Sequence, residues 1–255
     1  MAKLRVQSKA AKAQARRRTQ ITVIVGIAAT ALLFVAVLVM SLSQSGTAIA
    51  PTSYAEIPQT TTAEGAPVLG SPDAQITVME FADYSCSHCA DYHDITIKRL
   101  IDTYVRPGQI RFIFQTETFV GQQYSEYAGQ AALCAGQQNR FWDMQNALYQ
   151  LQRDPGVLAA FNEGGIRTAS DNLKLDTNKL MACISSGATK QSLANSAALG
   201  GRLGVSGTPT LFISTDGGKT FNFMTDSQGQ PISSGGPTFE TIAENIQRAS
   251  QSASQ

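Results

Sequence analysis

The most constraining feature of this chain is a run of 20 residues, Ile21 to Met40, with no charged side chain and only Thr22, Gly26 and Thr30 as mild interruptions. At 1.5 Å per residue a helix of that length is about 30 Å long, the thickness of a bilayer's hydrocarbon core. Seven cations precede it, Lys3, Arg5, Lys9, Lys12, Arg16, Arg17 and Arg18, with no acid among them. A buried core helix seldom carries such a flank. The positive-inside rule therefore predicts a single-pass cell-membrane anchor at residues 21–40, with a basic cytoplasmic N-terminus at 1–20 and the remainder outside. The competing reading is a signal peptide cleaved after Ala48-Ile49-Ala50. Against it, the run exceeds the roughly 7–15 residues of a signal-peptide core, and Pro51 directly after the site obstructs a peptidase.

The formal net charge of +1 hides the asymmetry this creates. With seven cations confined to residues 1–18, the rest of the chain holds 13 basic and 19 acidic side chains, a balance of −6. An outer part this acidic is a poor candidate for nucleic-acid binding through phosphate neutralisation. Hydrophobic residues at 43% support a packed core and exclude wholesale disorder. Residues 41–66, rich in Ser, Thr, Ala, Gln, Gly and Pro, read as a flexible linker. The folded part is expected from Pro67 to residue 250, with a disordered tail at 251–255.

Ile76-Thr77-Val78-Met79-Glu80-Phe81 follows a Ser-Pro-Asp turn signal and reads as a buried strand. A helix is expected from about Ser87 to Tyr104, where Tyr92, Ile95, Arg99 and Leu100 give an imperfect stripe with Ile97 off it; Arg106-Pro107-Gly108 ends it. Ile110–Gln115 alternates as a second strand, parallel to the first if the helix is a crossover. The middle reads as helical throughout: 125–138, 141–152, a stretch near 157–167, 177–186 and 189–204. Thr210–Ser214 and Phe221–Met224 form a hairpin across Asp216-Gly217-Gly218, and a helix at 238–250 closes the chain. This order is an α/β sheet with a helical insertion.

Cys86-Ser87-His88-Cys89 lies directly after the first strand and opens the helix, a context that makes Cys-x-x-Cys specific. Unpaired N–H groups and the helix dipole favour an anionic sulfur at Cys86, and His88, when protonated, acts in the same direction. The alternatives are a zinc half-site or an inert staple. Only His88 and His93 could complete a zinc site, and both sit on one short segment; a four-residue loop gives a staple little entropy to remove. No metal or cofactor is therefore expected. Glu80, six residues before Cys86 on an apolar strand, is expected to lie at least partly buried beneath the sulfurs, with a raised pKa suited to proton exchange with Cys89. The alternative for Glu80 is a solvated edge position. Gly207-Thr208-Pro209-Thr210 places a proline at the opening of a strand, where a cis Thr208–Pro209 bond would leave backbone groups free to pair with an extended peptide.

Val78-Met79-Glu80-Phe81, Cys86-Ser87-His88-Cys89, Phe141-Trp142-Asp143-Met144 and Gly204-Val205-Ser206-Gly207-Thr208-Pro209-Thr210, in that order, resemble the DsbA-like branch of the thioredoxin superfamily. The resemblance spans roughly residues 67–248. It implies a thioredoxin fold at 67–123 and 205–250, interrupted by an all-helical insertion at 124–204, and dithiol–disulfide exchange with reduced or unfolded secreted proteins. It also implies that Cys86 attacks, Cys89 resolves, Glu80 is the buried acid and Pro209 is a cis-proline facing the disulfide. A membrane quinone-linked partner for re-oxidation is implied by the resemblance alone. Ser87 stands where the best-known oxidases have proline, so a reductase or isomerase remains an alternative, as does a non-catalytic binding module on the same fold. Cys134 and Cys183 both fall on insertion helices, and in an oxidising compartment they are expected to pair as a structural disulfide; two buried free thiols are the alternative.

Overall fold

A computed structural model describes residues 26–27, 30–35 and 54–253. The chain divides into two units, Met1–Thr47 and Ala48–Gln255. In the first, residues 26–27 and 30–35 are helical and exposed; the rest of the expected span 21–40 and the basic segment 1–20 lie outside the described residues. Among the described residues no helix is long and apolar enough to cross a membrane.

The second unit is built on six strands: β1 (Gln59–Thr61), β2 (Pro67–Gly70), β3 (Ile76–Ala82), β4 (Ile110–Thr116), β5 (Thr210–Ser214) and β6 (Asn222–Phe223). Their spatial order is β1-β2-β4-β3-β5-β6. β3 and β4 are parallel, in register from Ile76↔Ile110 to Ala82↔Thr116, and all other neighbours are antiparallel. The helical crossover between β3 and β4 is what permits their parallel pairing. β3 is buried at every position because it has strands on both sides and apolar layers on both faces. Successive side chains alternate between those faces. Val78, Phe112, Phe114 and Leu211 join the main core with Trp142, Phe141 and Leu148, whereas Met79, Phe81, Ile113 and Phe212 join a smaller core on the rear face with Leu199 and Phe223.

The crossover is one helical rod, α1 (residues 87–105), in which two π-type turns, His93–Ile97 and Ile101–Val105, interrupt the α-helical pattern. Its buried side includes His93, Ile97, Ile101 and Val105, while Ile95 is 72% exposed. Ile97, expected off the stripe, is thus on it, and Ile95 is off it. A spacing of four drifts by ~40° per step on a regular 3.6-residue helix. The wider i→i+5 turns take up that drift.

Between β4 and β5 lie α2 (Gln123–Gly136), α3 (Phe141–Leu151), α4 (Val157–Ala160), α5 (Glu163–Asn172), α6 (Thr177–Ser186) and α7 (Lys190–Leu203). The single helical stretch expected near 157–167 is two helices: Asn162 stops the first, and its side chain accepts from Gly165 N at 3.0 Å to cap the second. Asp176 caps α6 in the same way through Lys179 N. A disulfide joins Cys134 on α2 to Cys183 on α6, with 49 residues of sequence separation. By the chain-entropy argument a loop of that size contributes about 4 kcal/mol. After β6 the chain closes with α8 (Phe239–Ala253).

Two boundaries depart from expectation. The linker expected at 41–66 ends early: residues 41–53 lie outside the described residues, but Tyr54 and Ile57 are 3% exposed in the core and β1 follows. Two buried apolar side chains, the Glu56–Arg106 ion pair and the β1–β2 ladder hold this segment in place. β1 and β2 themselves carry no sequence signal, since Gln-Thr-Thr is polar and β2 spans only four residues. The tail expected at 251–255 is helical through Ala253, with 254–255 outside the described residues.

Candidate active site

Cys86 occupies the N-cap position of α1 with extended backbone (φ −80°, ψ 117°), immediately beyond the buried end of β3. Its residue is 9% exposed, Cys89 is fully buried, and both are free thiols. Across from them the Thr208 carbonyl lies 3.6 Å from Cys86 Sγ and accepts from the neutral thiol. The following Thr208–Pro209 peptide bond is cis. The structure therefore brings Cys86, Cys89, Thr208 and Pro209 together although more than 100 residues separate the two segments, because β3 and β5 are paired from Phe81↔Thr210 to Thr77↔Ser214. His88 is exposed on the first turn of α1.

The two sulfurs differ in acidity. A hydrogen bond from the Cys89 thiol is the largest influence on Cys86; with the backbone N–H groups of Cys89 and His88 it lowers the Cys86 pKa from 9.0 to about 5, against the opposing cost of burial. Cys89 moves the other way, chiefly through burial and then through the bond it gives to Cys86. One sulfur is thus a thiolate at neutral pH, and the other is its proton donor.

Glu80 is 1% exposed on β3, between Phe114 of β4 and Leu211 of β5, and neither carboxylate oxygen has a hydrogen-bond partner in the protein. Desolvation raises its pKa from 4.5 to about 8. The edge alternative does not apply to this position, because β3 is central. His93 is buried with its ring 4.9 Å from that of Tyr149, and burial and Arg153 lower its pKa to about 4. Among the described residues no group of three or more His, Cys, Asp or Glu side chains could hold a metal ion.

Several residues of the site gave no expectation from sequence. Asp83, buried just before the cysteines, accepts from Ser85 N at 2.8 Å, Val120 N at 2.9 Å and the Ser125 hydroxyl. Ser125 also reaches Ser85 Oγ at 2.8 Å, and Gln152 donates to the Ser85 carbonyl. This clamps the turn carrying Cys86 to the start of α2 and the end of α3. The Asp83–Ser85 bond is an Asx turn, which the string Asp-Tyr-Ser could have signalled; Ser125 is 42 residues away and could not. On the other side, Tyr92 donates to the Pro237 carbonyl at 2.7 Å. Gly236 (φ +69°) sits where any Cβ would fall 2.7 Å from the Tyr92 ring and 3.1 Å from Pro209, so a glycine is required to let this loop close against the proline.

A strand that delivers two cysteines to a helix start, faced by a proline at the head of a neighbouring antiparallel strand, defines a thioredoxin-type dithiol centre. The chain belongs to the family described as Thioredoxin, which matches residues 62–227. "Disulfide bond formation protein D" of Bacillus subtilis (strain 168) is 26% identical over 159 residues, covering 59% of this chain and 68% of that protein. The fold is shared with oxidised BdbD from Bacillus subtilis (TM-score 0.61, 21% identity, 75% of this chain and 96% of that one). It is shared equally with α-DsbA1 from Wolbachia pipientis (TM-score 0.61, 17% identity, 76% and 94%).

Proposed function

We propose that this thiol–disulfide oxidoreductase works outside the cytoplasm as an oxidase, introducing disulfides into reduced or unfolded secreted and membrane proteins. The observation that carries this direction is the pull on Cys86, whose pKa falls to about 5. Lowering the free energy of the reduced thiolate relative to the disulfide makes the disulfide a stronger oxidant.

In the first step a substrate thiolate attacks Cys86 Sγ of the oxidised pair, the Cys86–Cys89 bond breaks, and Cys89 leaves as a thiolate. Its high proton affinity means it must be protonated at once, and Glu80, held near neutrality by burial, is the acid suited to that transfer. In the second step another substrate thiolate attacks the substrate sulfur of the mixed disulfide, and Cys86 leaves as the stabilised thiolate. The substrate gains one disulfide, the protein gains two electrons, and the released protons go to Cys89 and solvent. Thr208 and Pro209 line the cysteines and offer the backbone against which an extended substrate strand would lie, and the His88 backbone N–H helps hold the Cys86 thiolate.

The apolar run 21–40 anchors the protein to the membrane, with residues 1–20 inside and the catalytic unit outside, and a membrane quinone-linked partner withdraws the electrons. Supporting the location are the basic flank and a disulfide at Cys134–Cys183, which persists in oxidising compartments. The reduction potential of the full chain tests the direction. A value toward that of a strong oxidant, about −120 mV, is expected; a value near about −270 mV, typical of a reductant, would overturn the oxidase reading. Loss of substrate oxidation in Cys86→Ala separates turnover from a binding role.

A further inference from the structure

The rear face of the sheet is incompletely covered. α7 crosses it, packing Leu199 against the rear core, but beyond Leu199 toward β1 and β2 a cavity of about 490 Å³ remains between helix and sheet. That lies within the roughly 300–1,000 Å³ range of small-molecule sites. Val68, Met79, Ile113 and Phe221 form an apolar floor, while Thr60, Thr61, Gln115 and Asn195 make the rest of the lining polar. Arg111, Arg202 and Lys219 converge on it, opposed only by Glu64. This is a concentration of cations in a part of the chain whose balance is −6, and among the described residues none of the three takes part in an ion pair.

The wall is also built. Arg111 is pinned by donating to Thr77 Oγ1 at 3.0 Å and to the Gly217 carbonyl, which fixes the β5–β6 turn against β4. Asp216 Oδ1 accepts from the N–H groups of Lys219 and Thr220 at 2.9 and 3.0 Å, holding Lys219 at the rim. From the roof, α7 adds Ser192, Asn195 and Ser196 to the lining.

We propose that this cavity binds a ligand with an anionic head and an apolar body of up to about ten carbons, the chemistry shared by a medium-chain carboxylate and the upper part of an anionic lipid. The apolar floor takes the body, and Arg202 and Lys219 take the head. The Cys86–Cys89 centre is not involved, since the Met79 and Glu80 side chains lie on opposite faces of β3.

The test is photolabelling of the full chain, held in phosphatidylcholine nanodiscs, with a diazirine-bearing ten-carbon carboxylate, read by peptide mapping. Saturable labelling of β1, β2, β3, β4, α7 or the 217–221 turn is expected. Decanoate should compete about 15-fold better than octanoate, at ~4-fold per methylene, and about fivefold better than decanol. Leu199→Trp, which fills the cavity, should abolish the labelling, and Arg202→Glu with Lys219→Glu, at exposed positions, should weaken it at least about fivefold. Nanodiscs of phosphatidylglycerol distinguish the source: competition by that lipid identifies a lipid occupant, and labelling undiminished there identifies a free acid. Labelling confined to other segments, equal competition by decanol, or undiminished labelling in both the Leu199→Trp and the double charge-reversal proteins would each overturn the proposal.

Discussion

Cys89→Ala isolates the interaction on which the reactivity of Cys86 chiefly rests. In the wild-type dithiol the Cys86 pKa of about 5 means that thiolate exceeds thiol by roughly 100:1 at pH 7. The largest cause is the hydrogen bond from Cys89, and hydrogen bonds to a charged group contribute roughly 1.5–3 kcal/mol. At 1.36 kcal/mol per unit, its removal should raise the pKa by ~1–2 units, to roughly 6–7. The backbone N–H groups of His88 and of residue 89 survive the substitution, so the thiol does not return to an ordinary value near 8.5. The assay is the pH dependence of iodoacetamide alkylation at Cys86 in the reduced full chain, with the 240 nm thiolate absorbance as a second readout. At pH 6 the wild type should be about nine-tenths thiolate and the variant half or less. Wild-type ionisation near pH 8–9 would refute the account of the site, and an unchanged pKa in Cys89→Ala would refute the assignment of the Cys89 bond as its main cause.

Four further outcomes are expected. Since Cys86 ionises more readily folded than unfolded, its contribution to the reduced form is complete above pH 8.5 and is lost as the pH falls toward 5; urea unfolding should show the stability advantage of reduced over oxidised protein shrinking between pH 8 and pH 5. Glu80 has the opposite sign: with a folded pKa of about 8 it takes up a proton on folding, which costs stability above its unfolded value, so Glu80→Gln should stabilise the protein by ~2–3 kcal/mol at pH 7 and by less at pH 5, while slowing release of Cys89 in stopped-flow mixing with a thiol substrate. Stability unchanged at pH 7 would contradict the buried placement of the carboxyl. Replacing both Cys134 and Cys183 by Ser should cost about 4 kcal/mol in urea unfolding with the Cys86 pKa unmoved. Ser125→Ala removes a bond to the buried Asp83 carboxylate and should cost ~1.5–3 kcal/mol and loosen residues 83–86 in amide exchange, whereas slow exchange equal to wild type would show that the clamp does not hold the turn.

The chemistry of this chain is written locally. A β-branched strand, two cysteines three apart and a helix start are contiguous, so Cys86 and Cys89 are placed at a strand–helix junction by sequence alone, and the parallel pairing of β3 with β4 follows from the length of the crossover between them. The Asx turn at Asp83 and the caps at Asn162 and Asp176 belong to the same local class, since each bond spans two or three residues.

What needed the tertiary structure is whatever depends on a neighbour far along the chain. Glu80 reads as a strand residue from sequence, but its protonation is set by Phe114 and Leu211 flanking it and by the exclusion of water, properties of β4 and β5 rather than of its own strand. Ile97 replaces Ile95 on the buried side because the helix widens, which no fixed period foresees. Gln59–Thr61 becomes a strand because β2 offers unpaired backbone groups, although its side chains are exposed and polar. Sequence fixes the identity and spacing of reactive groups, because backbone geometry over a few residues is local. Burial, which sets the free energy of a charge, is decided only when distant segments close around it.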